Sequence, residues 1–129
     1  GTVATCTGLT IQGALAATTK SFDIPHPSKK GKRLVHGSLE GAEHGVYHRG
    51  KSNENEVKLP DFWVGLVDFG SITVQLTPIG SFQGLWVENI SEDRIIVGSE
   101  DENIEFYYLI HAERVDVDKL EVEVNDVSY

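Results

Sequence analysis

The strictest alternation in the chain falls at Ile72, Val74 and Leu76, which are separated by Thr73, Gln75 and Thr77. A period of two marks a strand with one face on a core and the other in water, so 71–77 is predicted to be half-buried. Five further segments carry the β-branched and aromatic residues that suit a pleated surface. They are LVHGSLE (34–40), GVYHR (45–49), GLWVENI (84–90), RIIVGS (94–99) and IEFYYLIHAER (104–114). Turn-forming residues separate them at Gly41, Gly50 with Lys51 to Asn55, Gly70, Pro78 to Gly80, Ser91 to Asp93 and Glu100 to Asn103. Short strands at this spacing predict an all-β fold, an antiparallel β-sandwich or barrel-like domain over residues 21–114.

Three stretches depart from that pattern. In LPDFWVGLVD (59–68), Pro60 and Asp61 are suited to open one helical turn that carries Phe62, Trp63 and Leu66 inward to plug one end of the core. Pro25 and Pro27 bracket His26 and block a helix, which favours an extended lead into the domain. The first twenty residues are small, Thr-rich and punctuated by Gly, with Leu9, Ile11 and Leu15 on one face of a prospective strand. Too few large apolar groups are present there to make a core, so 1–20 reads as a shaft-like segment stacked on copies of itself, or as a linker. At the other end, residues 115–129 alternate again, with Val122 and Val124 opposite Glu121 and Glu123. That pattern suits an acidic C-terminal strand kept soluble by charge, or a tail ordered against another subunit.

A chain of 129 residues with 40% hydrophobic and 24% charged residues is expected to fold around a single core. No segment approaches the roughly 20 uninterrupted apolar residues of a membrane-spanning helix, and no signal peptide is recognisable, so a soluble domain is expected. With no methionine in the sequence, Gly1 reads as a processed terminus or the start of an expressed fragment. Cys6 is the sole cysteine, which excludes an internal disulfide; a buried or inert thiol is expected. The net charge of −9 is uneven: residues 1–58 hold eight Lys or Arg against five Asp or Glu, and residues 88–129 hold three against thirteen. That acidic field disfavours phosphate backbones, so no nucleic-acid partner is expected.

Five segments occur in a distinctive order: KSFDIPHP (20–27), LEGAEHGVYHRG (39–50), LPDFWVGLVD (59–68), ITVQLTPIG (72–80) and HAER (111–114). Together they resemble a C-terminal β-rich domain of tail-fibre and other virion structural proteins of marine bacteriophages, notably cyanophages, and of large algal viruses. The resemblance covers about residues 20–114 and rests most on LPDFWVGLVD followed by ITVQLTPIG. It implies a virion appendage, a homotrimer following a repetitive shaft, other tail or fibre proteins as partners, and attachment to host-surface polysaccharide. It brings no transferable catalytic residues.

Chemistry within the chain is sparse. His44 and His48 have a spacing that lets helical imidazoles share a metal, but Gly45, Val46 and Tyr47 favour a strand, where positions four apart lie about 13 Å from one another. No metal or other cofactor is expected. His36, Ser38 and Glu40 alternate along one prospective strand without setting a base beside an activated hydroxyl, and no Gly-x-Ser-x-Gly elbow is present. The acids at Glu100, Asp101, Glu102 and in the tail read as solvated loops, so no catalytic residue is assigned and no enzyme is expected. Aromatic residues are better candidates for stacking on sugar rings. Trp86 and Tyr107 each lie between two apolar or aromatic neighbours and so should face the opposite way, outward. With the basic cluster of Lys29, Lys30, Lys32 and Arg33, they form the candidate receptor-contact set. The expected function is multivalent host attachment; a trimerisation or chaperone module is the alternative, and a carbohydrate-active enzyme a weaker one.

Overall fold

The computed structural model describes residues 1–126. Its regular structure is all-β and antiparallel. A hairpin of β1 (Ser21–Pro25) and β2 (Arg33–Gly37) leads into two three-stranded sheets. In the first sheet β8 (Phe106–Glu113) lies between β3 (Gly45–Ser52) and β5 (Thr73–Pro78); in the second, β7 (Arg94–Gly98) lies between β4 (Glu56–Lys58) and β6 (Trp86–Ile90).

The alternation read from the sequence explains how the sheets pack. Ile72 is buried and Val74 and Leu76 lie against the core, while Thr73, Gln75 and Thr77 are exposed. Val46 from β3, Phe106, Ile110 and Ala112 from β8, Val57 from β4, and Ile95 and Val97 from β7 meet in one continuous cluster. Two antiparallel sheets sharing that cluster are consistent with a β-sandwich.

Residues 59–68 close the cluster at one end, as expected. Asp61–Trp63 forms a 3-10 turn, in which the Trp63 N–H donates to the Pro60 carbonyl at 3.1 Å. Trp63 and Leu66 are fully buried, and Phe62 packs on the core partly exposed. Gly65 has φ +78° and its Cα faces Pro27, so a side chain there would meet both backbone strain and a neighbour. The Val115 N–H donates to Leu66 and the Asp68 N–H to Glu113, which ties the plug to the end of β8.

Arg114, just past β8, fastens the β1–β2 hairpin. Its guanidinium lies 4.2 Å from the centroid of the Phe22 ring and donates twice to Asp116, at 2.8 and 2.6 Å. Phe22 stacks in turn on His36, and His36 meets Phe62 edge-on.

Residues 1–20 form no strand in the single chain and are exposed throughout, Cys6 included. Strand bounds differ from expectation at two places. The strand expected at 34–40 stops at Gly37, and the one expected at 84–90 starts at Trp86. Residues 115–126 are irregular, with Val122 and Val124 exposed; the last three residues of the acidic segment, 127–129, lie outside the described residues.

Candidate functional site

The outer face of the first sheet is the most chemically organised open surface among the described residues. It arises because β8 is central: its even positions Phe106, Tyr108, Ile110 and Ala112 turn inward, which leaves Tyr107, Leu109 and His111, with Glu113 at the end of the strand, in a column on the opposite face. Register then sets the neighbours. Tyr107 lies between Lys51 and Thr77, Leu109 between Arg49 and Gln75, and His111 between Tyr47 and Thr73. The result is a three-by-three grid with an aromatic and aliphatic centre, a basic and aromatic margin on β3, and a hydroxyl and amide margin on β5.

No carboxylate stands at any of the nine positions. Acids lie at the borders: Glu105 pairs with Lys51 at 2.9 Å, and that hydrogen bond raises the ammonium's pKa. Tyr107 is 55% exposed and Tyr47 48%. The Tyr47 and His111 rings are tilted together with centroids 6.3 Å apart. A shallow depression of about 470 Å³ opens around Tyr107 and Leu109, with Arg49 and Lys51 on one side and Gln75 and Thr77 on the other. Beneath it the Tyr108 ring on the inner face fills the space opposite Gly50, so this part of the sheet is backed by packed side chains.

The six residues selected from the sequence fall on three separate surfaces. Tyr107 stands on the grid. Trp86 is exposed on the second sheet, where it borders a polar concavity with Glu54, Glu88, Asp101 and Glu102 that shares no residue with the depression around Tyr107. The basic cluster occupies the connection between β1 and β2. There Lys29 pairs with Asp61 at 2.8 Å and Arg33 with Asp23, while Lys30 and Lys32 are exposed. The imidazole Nδ1 of His26 accepts from the backbone N–H groups of Ser28 and Lys29 and shapes that connection.

His44 precedes β3 and His48 lies within it on the inner side, against Trp63 and Tyr108. Burial lowers the His48 pKa. No group of three His, Cys, Asp or Glu side chains suited to a metal occurs among the described residues. His36 is engaged between Phe22 and Phe62.

Arg49 and Gln75 were not selected from the sequence. A partial signal existed: in GVYHR, an inward Val46 implies that Tyr47 and Arg49 share the outer face. The class defined here is an all-β antiparallel module with an open outer sheet face whose nine central positions carry no carboxylate and whose β8 column ends in Glu113, paired with Lys119. Comparison with protein-family models, with curated proteins and with solved structures gives no match.

Proposed function

We propose that this chain is a non-enzymatic attachment module of a virion appendage, a tail fibre or similar structure, which binds host-surface polysaccharide as a homotrimer. The observation that carries the binding part is the exposed Tyr107 beside the half-buried Leu109, between hydrogen-bonding margins. An exposed aromatic ring can stack on the apolar face of a sugar, while Arg, Lys, Gln and Thr side chains on either side supply hydrogen bonds to its hydroxyl groups. The virion address and the trimer rest on the resemblance of residues 20–114 to phage tail-fibre domains. An open, shallow face binds weakly, and three linked copies would multiply its hold through effective concentration.

The test has two parts. Light scattering coupled to gel filtration at micromolar concentration is expected to give about three chain masses; a monomer overturns the trimer. Retention on immobilised host polysaccharide is expected and should be lost in Tyr107→Ala with the mass unchanged; undiminished retention overturns the binding face.

A second reading, a trimerisation module, draws support from the tail. Val115, Val117, Leu120, Val122 and Val124 are all exposed in a segment without strand pairing, as suits a surface covered by another copy. Truncation after residue 114 separates the two readings: lost trimers favour assembly, and intact trimers that no longer adsorb favour attachment.

A further inference from the structure

We infer that the outer face of the first sheet selects acidic sugars, polymers bearing carboxylate or sulfate groups, over neutral ones. This deepens the attachment reading and rests on it.

The argument is one of charge complementarity. Acids outnumber bases by 20 to 11 in the chain, yet the grid carries Arg49 and Lys51 and no carboxylate. Both bases project from β3 on the same face, two positions apart and so about 7 Å from each other along the strand. Their register partners on β8 are Leu109 and Tyr107, so each cation stands beside an apolar surface on which a sugar ring can lie. The opposite margin supplies the Gln75 amide and the Thr77 hydroxyl, which suit neutral hydroxyl groups. A sugar laid across the strands would therefore meet a cation at one end, an apolar centre and uncharged hydrogen-bonding groups at the other.

The two cations differ. Lys51 is already paired with Glu105, whereas Arg49 makes no side-chain ion pair or hydrogen bond among the described residues. Arg49 is therefore the expected anion contact, and its planar fork suits carboxylate or sulfate oxygens. The acidic concavity beside Trp86 and the acidic tail repel a polyanion, whereas the exposed Lys30 and Lys32 at the β1–β2 connection form a second cationic surface away from the grid.

The test uses the full chain with four immobilised polymers: polygalacturonate, its fully methyl-esterified form, dextran sulfate and dextran. Retention on one or both acidic polymers is expected to exceed that on the uncharged partner at least tenfold, to fall at least fivefold in Arg49→Gln, and to weaken in 0.5 M salt. Arg49 is exposed, so the variant should keep the wild-type melting temperature. The carboxylate and sulfate arms identify which anion is taken. Equal retention on charged and uncharged polymers, lost in Tyr107→Ala but not in Arg49→Gln, overturns the acidic preference and leaves the attachment reading standing. Retention on none of the four overturns both. Loss of oligomers in Arg49→Gln also overturns the inference, because the face would then receive the acidic tail of a second copy.

Discussion

The indole of Trp86 lies across Gly98, its antiparallel partner on β7, in the space a side chain at position 98 would need. The pairing is an aromatic cover over a strand glycine, which otherwise leaves a bare patch of backbone. Gly98→Ala should drive the indole off the sheet into solvent. The expected cost is about 1–3 kcal/mol, read by chemical denaturation, with a red shift of tryptophan emission. An unshifted spectrum at wild-type stability would show that the ring does not depend on that space.

Gln83 is the buried polar side chain of the core region, and its amide joins two loops. It donates to the carbonyls of Ile79 and Glu105 and accepts from the Glu105 N–H, at 2.9 to 3.0 Å. Gln83→Ala leaves the Ile79 carbonyl and the Glu105 N–H without that partner, while the Glu105 carbonyl keeps the Ile79 N–H. A loss of about 2–4 kcal/mol is expected, more than a surface substitution gives, since each unsatisfied buried group costs about 1–3 kcal/mol and water can reach some of them.

His48 gives the fold a pH dependence with a definite sign. Burial against Trp63 and Tyr108 places its folded pKa below the ordinary 6.5. As pH falls through 6.5 the unfolded chain takes up a proton that the folded chain resists, so stability drops, and the drop continues until the folded pKa is passed. Urea unfolding at pH 7.5 and pH 5.5 should show this loss, and His48→Gln should make the slope shallower whatever its effect on absolute stability.

The paired side chains of Arg114 and Asp116 are 10% and 16% exposed, although the Asp116 residue as a whole is exposed, and the guanidinium also covers Phe22. Arg114→Ala is expected to cost about 1–3 kcal/mol, between an exposed pair and a fully buried one. Arg114→Lys should recover little of it, because an ammonium reproduces neither the two-point contact with Asp116 nor the flat stacking on Phe22. Stability of both variants by denaturation checks this.

Much of the fold was legible because its signals are local. Ile72 to Thr77 alternates cleanly, and Pro60, Asp61 and the following aromatic pair announce the plug. The strand β4 was missed because Glu56–Lys58 offers one apolar residue, Val57, after an Asn-rich turn; its strand character comes from pairing with β7. β1 was read only as extended chain, since Pro25 sits at its end. The candidate site was less legible for a different reason. Lys51, Tyr107 and Thr77 are neighbours only through register, which brings Tyr107 beside residues 56 and 30 positions earlier in the sequence. Trp86 and Tyr107 each carry a sound local argument for facing outward, and both are exposed, but nothing local tells that they lie on different sheets.

The clasp of Arg114 on Phe22 joins the second residue of the first strand to the residue just beyond the last. Chain arriving at β1 and chain leaving β8 therefore pass the same point on the surface. Tension applied through those two segments would load this contact and the hairpin behind it together with the backbone hydrogen bonds at the end of β8, from Arg114 to His44 and from Val115 to Leu66. The β1–β2 hairpin is thus held to the domain at the point where the chain leaves the first sheet, so that entry and exit share one anchorage.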